Sequence, residues 1–190
     1  MSELNDLRRR VGLLEARAEI AQLVTAYAIA CDEHDMPRLV GLFTEDACLE
    51  TPSGLMQATG RQAIADLFVR TFKTRGPSFH WTHDHVMTPG ADPDHATGLV
   101  LAHAETSPGN EVSLAAMRYH DAYRREAGRW LFARRRISFL YSVPARDFAQ
   151  ALSSPTRLTV QGRRQAADYP EALPAWQAFE REHGGEEAQP

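Results

Sequence analysis

The chain has 190 residues, 43% of them hydrophobic and 24% charged, with a formal net charge of -4, which is the profile of one globular domain with room for a full core. Slight acidity argues against nucleic acid as the main partner, no apolar run approaches the roughly 20 residues that span a bilayer, and the charged start, Ser2 to Arg10, does not read as a secretory signal. The expectation is a cytoplasmic protein with neither a nucleic-acid nor a membrane partner. Its two cysteines, Cys31 and Cys48, lack metal-binding or redox spacing and read as buried free thiols.

Leu4, Leu7, Val11 and Leu14 recur at steps of three and four with charges between them, which predicts an amphipathic helix. A second stripe follows at Ile20, Leu23, Val24, Tyr27 and Cys31; a soft break near Arg17 leaves one long helix or two. Asp35 is placed to cap a short helix opening at Met36-Pro37 and running through Leu39, Val40, Leu42 and Phe43. Ala47 to Thr51 reads as a strand stopped by Pro52-Ser53-Gly54, with Leu55 to Ala58 returning beside it. Gly60 to Thr74 returns to helical spacing, ended by Gly76-Pro77. The period then changes to two. His80 to Met87, Ala96 to Glu105, Glu111 to Arg125 and Arg129 to Tyr141 form four strand-like runs separated by Pro-, Gly- and Asn-rich turns, which predicts an antiparallel meander. Helices first and a meander afterwards give an α+β class. From Val143 the chain is punctuated by Pro144, Pro155, Pro170 and Pro174. A short helix is expected around Trp176, between Leu173 and Phe179, and disorder from Gly184 to Pro190. The organisation is thus a domain over 1–142 and an extension over 143–190 that docks on the domain or on a neighbouring subunit.

The stretch Phe79-His80-Trp81-Thr82-His83-Asp84-His85 holds the chemistry-bearing residues. An imidazole titrates near neutral pH and can take and return a proton. On a regular strand His83 and His85 share one face and His80 points to the other; no third ligand is suitably spaced, so no metal is expected. His95 and His120 read as surface residues. The run Arg134-Arg135-Arg136 alternates faces and reads as a solvated edge rather than a phosphate patch.

Three pieces in this order resemble the SnoaL-like branch of the nuclear transport factor 2-like superfamily. They are Ala18-Glu19-Ile20-Ala21-Gln22-Leu23-Val24 with Tyr27, Asp32 and Leu42 to Ala47; Gly60-Arg61-Gln62-Ala63-Ile64 with His80; and Tyr119-His120-Asp121-Ala122-Tyr123 through Gly128-Arg129-Trp130 to Arg134. Together they span roughly residues 15 to 141. The resemblance implies a cone, in which a strongly curved antiparallel sheet and N-terminal helices enclose a pocket. The chain looks most like the dehydratase-type members (scytalone dehydratase, bile acid 7α-dehydratase, the lindane dehydrochlorinase), which use a His-Asp dyad. Asp32 and His80 stand at the matching positions, and Tyr27 matches a pocket-facing tyrosine.

What the resemblance implies is a lyase without cofactor, acting on a small hydrophobic, hydroxylated, aromatic or polycyclic substrate by dehydration or by retro-aldol C–C cleavage that releases an aldehyde. His80, Asp32 and Tyr27 would be catalytic. Tyr119, Met117, Arg134, His103, Phe139 and Trp81 would contact substrate. A polyketide cyclase or isomerase, and a non-catalytic binding module, are the alternatives. Relatives associate as homodimers or homotrimers through the outer face of the sheet, and the same is expected here. One geometric tension accompanies this assignment. Asp32 lies roughly 140° around a straight helix from Tyr27, so both reach one pocket only if the helix ends or bends near Cys31, or if Tyr27 enters from the side.

Overall fold

A computed structural model describes residues 3–160 and 162–184; the expected disorder from Gly184 onward falls, beyond that residue, outside them. The two apolar stripes form one continuous helix, α1 (Glu3–Asp32), because Ala16, Arg17 and Ala18 at the soft break are good helix formers. The helix ends in a Schellman turn, in which the Asp35 amide donates to the Ala30 carbonyl and the His34 amide to the Cys31 carbonyl. His34 takes the left-handed conformation there, at φ 54°. Its ring stacks on Phe72 with centroids 4.2 Å apart, which offsets the strain of a side chain in that region.

Asp35 accepts the Arg38 amide at 3.1 Å and caps α2 (Met36–Val40). That helix stops short of the predicted end at Phe43. Phe43 instead opens β1 (Phe43–Glu50) and pairs with Phe132, so cross-strand pairing overrides the local helical spacing. A turn leads to β2 (Gln57–Thr59) and then α3 (Arg61–Thr74). The meander follows as β3 (Phe79–Pro89), β4 (His95–Thr106), β5 (Ser113–Glu126) and β6 (Arg129–Pro144).

Along the path β2-β1-β6-β5-β4-β3 the sheet is antiparallel except where β1 meets β6. Four irregularities bend it: within β1, in β3 between Thr82 and His85, and where β6 passes β5 at Ala133 and at Leu140. Each extra residue sharpens the local twist, so the sheet curls instead of lying flat. α1 fills the concave side with Ile20, Leu23, Val24, Tyr27 and Cys31, against Val100, Tyr119, Phe132 and Ile137 of the sheet. Apart from Val100, the inward row of β4 is small (Ala96, Gly98, Ala102, Ala104), which leaves space inside the curl. This is the expected α+β cone. No helix among the described residues is long and apolar enough to cross a membrane.

After β6 come a 3-10 helix (Ala145–Ser153), the short strands β7 (Leu158–Val160) and β8 (Arg163–Gln165), and α4 (Pro174–His183). The bulge at Leu140 frees backbone groups of β6, and the extension satisfies them. Asp168 accepts the Phe139 amide at 2.7 Å, and the buried Arg157 donates to the Leu140 carbonyl at 2.7 Å while pairing with Glu171. Arg157→Ala is therefore expected to cost about 2–3 kcal/mol, read as a midpoint lowered by roughly 5–10 °C in thermal unfolding. α4 buries none of its side chains, and Trp176 and Phe179 are exposed.

Candidate active site

Asp32 is the last residue of α1, where the negative end of the helix dipole disfavours a carboxylate. Three donors compensate. The His80 amide donates to Oδ2 at 2.9 Å, the Ser78 hydroxyl to Oδ1 at 3.3 Å, and His80 Nδ1 lies 2.6 Å from Oδ1. A carboxylate accepting from Nδ1 fixes the proton on that nitrogen. Nε2, on the opposite edge of the ring, is then the free base. Both side chains are mostly shielded, at 9% and 17% exposure for His80 and Asp32. The helix end resolves the angular tension: the chain turns away after Asp32, so its carboxylate reaches β3 while Tyr27, more than a turn earlier, faces the sheet.

His80 lines a cavity of about 560 Å3 walled by Tyr27, Phe68, Met117, Tyr119, Ile137 and Phe139. Four of the residues expected there from sequence, Tyr27, Met117, Tyr119 and Phe139, are thus in its wall. Burial raises both phenols; for Tyr27 the neighbouring Cys31 adds to it, and both stay protonated as hydrogen-bond donors. Cys31 is buried, its thiol pushed up to about 12 by burial, whereas Cys48 is only half-buried, contrary to expectation.

Three expected substrate contacts lie elsewhere. Trp81 follows His80 directly, so strand alternation turns it to the outer face, where it packs on Phe79 at 4.5 Å between ring centroids. His103 pairs in register with Trp81 and shares that outer face, its Nδ1 2.8 Å from His83 Nε2. Arg134 points outward and ion-pairs with Glu50. The bulge at Ala133 shifts parity by one, so Arg135 turns inward in its place. The bulge in β3 does the same for one histidine: His83 faces outward, opposite His80, as on a regular strand, whereas His85 is turned inward beside His80 instead of sharing the outer face with His83. Tyr141 is likewise turned outward, by the bulge at Leu140, and packs on Phe148. No three His, Cys, Asp or Glu side chains among the described residues converge on a point where an ion could sit.

Inward rotation of Arg135 builds a charged centre beneath the cavity that sequence reasoning did not foresee. Its guanidinium is fully buried and donates from Nε and Nη2 to Asp121 at 2.9 and 2.7 Å. The rings of Tyr27, Tyr119 and Phe132 surround it at 4.0 to 4.3 Å, an arrangement in which ring faces attract the cation. Burial opposes that charge, but Asp121 outweighs it and the group stays a cation. Tyr123 donates to Asp121 at 2.9 Å and lies 3.2 Å from His85 Nε2. Gly98 makes room for this last pair, because a Cβ there would sit 2.6 Å from His85 Nε2 and 2.7 Å from the Tyr123 hydroxyl. The spacing Tyr119, Asp121, Tyr123 on one strand face was the available signal; Arg135 had none.

Burial lowers the pKa of His85, with Arg135 adding to the effect against Asp121. The unfolded chain therefore binds this proton more readily than the folded one. Its stability contribution is complete above the ordinary value near 6.5 and is lost as pH falls through the lowered folded value. Urea midpoints are expected to drop as pH goes from neutral into the acid range, and His85→Gln to flatten part of that decline; an unchanged slope would remove His85 from the account.

The family model of the SnoaL-like domain matches residues 13–136. No curated protein sequence matches the chain. Among solved structures, a hexachlorocyclohexane dehydrochlorinase superposes with a TM-score of 0.66 at 22% identity, covering 71% of this chain and 92% of its own. A candidate scytalone dehydratase from Novosphingobium aromaticivorans gives 0.66 at 19% identity, with 71% and 91% covered. A candidate aromatic ring hydroxylase from the same species gives 0.65 at 25% identity, with 72% and 97% covered.

Proposed function

The chain belongs to the SnoaL-like domain family, within the nuclear transport factor 2-like superfamily, and from that premise we propose that it is a lyase needing no cofactor, acting on a small hydrophobic, hydroxylated, ring-containing molecule. The observation that carries this reading is the 2.6 Å contact between His80 Nδ1 and Asp32 at the edge of an apolar cavity. A pure binding module has no use for an imidazole held in one tautomer by a carboxylate. The cavity volume lies inside the range of roughly 300–1,000 Å3 typical of small-molecule sites.

Nε2 of His80 takes a proton from a carbon or a hydroxyl of the substrate, and Asp32 stabilises the imidazolium so formed. The hydroxyl of Tyr27 or Tyr119 donates a hydrogen bond to the developing oxyanion or to the leaving oxygen. In a dehydration, His80 returns the proton to the departing hydroxyl, which leaves as water, and the dyad is restored. In a retro-aldol cleavage, deprotonating the hydroxyl breaks the C–C bond, releases an aldehyde, and the carbanion recovers the proton from His80. Tyr27 and Tyr119 act as neutral donors in both cases, consistent with their raised pKa values.

The test is a mass-spectrometric screen of hydroxylated aromatic and polycyclic compounds with purified protein and no added cofactor. Loss of water or release of an aldehyde is expected. Products of unchanged mass would replace the lyase with a cyclase or isomerase, and tight binding without any turnover would leave a binding module.

A further inference from the structure

α1 has two apolar faces, and only one is covered. Ala16, Ile20, Leu23, Val24 and Tyr27 are buried against the sheet. On the other side Leu4, Leu7, Val11 and Leu14 stand exposed at 54%, 54%, 45% and 62%. The same steps of three and four continue through Ala18, Ala21 and Thr25, also exposed. Seven positions in alternating a and d register thus line one edge of the helix, with large side chains in the first half and small ones beside the domain. None of residues 3–15 is buried, so the large side chains of the stripe stand open to solvent.

Charges flanking the stripe select the occupant. With Leu4 and Val11 at a and Leu7 and Leu14 at d, Glu3 and Arg10 fall at g, and Arg8 and Glu15 at e. In a parallel pair of helices each g residue faces the e residue five positions on in its neighbour. Two copies of this helix then set Glu3 against Arg8 and Arg10 against Glu15, opposite charges at both positions and twice over by symmetry. An antiparallel pair centred on the same leucines would instead set Arg8 against Arg8 and Arg10 against Arg10. A β-branched residue at a with leucine at d also suits two strands. The edge is complementary to itself, as a two-fold interface must be.

We infer that the N-terminal half of α1 pairs with the same segment of a second copy as a short parallel coiled coil, making the protein a homodimer whose two cavities lie on opposite sides of the paired helices. The sheet's outer face plays no part in this contact.

Light scattering coupled to size exclusion on the full chain tests it. At about 100 μM, where a weak dimer is populated by mass action, the expected mass is twice the chain's 21.2 kDa. Leu7→Glu with Leu14→Glu is expected to give a monomer whose thermal midpoint still reports a folded domain. Arg10→Glu should weaken the dimer about tenfold, and adding Glu15→Arg should restore it. Leu14→Cys in a Cys48→Ser background should crosslink to itself on oxidation, which only the parallel register allows. A monomer at that concentration, a dimer that survives the paired Glu substitutions, or a dimer whose Leu14→Cys form does not crosslink overturns the inference.

Discussion

His80→Ala is expected to lower turnover of any compound the wild-type protein converts by about 10²–10⁴-fold, the usual worth of a positioned general base. The loss should fall on kcat, because the rest of the cavity wall, Tyr27, Met117, Tyr119 and Phe139, is untouched. Asp32→Asn should cost about 10²-fold or more by a different route. An asparagine can still accept the His80 amide at the helix end, so the fold is kept, but a neutral amide no longer fixes the proton on Nδ1 or stabilises the imidazolium. The double variant should be little worse than either alone, since the two residues act as one unit. Steady-state rates of the three variants, alongside thermal midpoints within a few degrees of wild type, check this. Losses that multiply in the double variant would mean two independent roles.

The second large effect is on stability. Asp121→Ala removes the carboxylate that balances the Arg135 guanidinium, and both side chains are wholly buried in the native protein. An unpaired charge left in that position costs about 3–5 kcal/mol, and Tyr123 loses its acceptor as well. Thermal unfolding is expected to fall by roughly 10–15 °C. Replacing the pair together, Asp121→Leu with Arg135→Met, should recover much of the loss, because an apolar pair of similar volume needs no desolvated charge. If the single variant unfolds within a few degrees of wild type, Arg135 is not held as described.

The two predictions rest on residues that were unequally legible in the sequence. Asp32 and His80 could be matched because each sits at the end of an element, one closing α1 and one near the opening of β3, where the pattern changes. Helix and strand order followed from periodicity for the same reason. Residues beyond a bulge were not legible. A single inserted residue inverts every later side chain, and its position is set by how neighbouring strands pack, not by the local run. That is why Arg134 was expected inside where Arg135 is found, and why His85 turns inward while His83 keeps the outer face. Trp81 and His103 were misplaced for a simpler reason: proximity to His80 and Ala104 in sequence means the opposite face on a strand. The contacts of Arg157 and Asp168 with β6 were also hidden, since the Leu140 carbonyl and the Phe139 amide that they bind are freed only once the bulge at Leu140 has formed.

The central claim is that Asp32 holds the proton of His80 on Nδ1 and leaves Nε2 as the base facing the cavity. Nitrogen NMR of the imidazole tests it without any substrate, because protonated and unprotonated ring nitrogens resonate far apart. At a pH where the ring is neutral, the spectrum of the wild-type protein is predicted to show His80 as the Nδ1–H tautomer, and Asp32→Asn to shift it toward a mixture. A wild-type His80 carrying its proton on Nε2 would contradict the account.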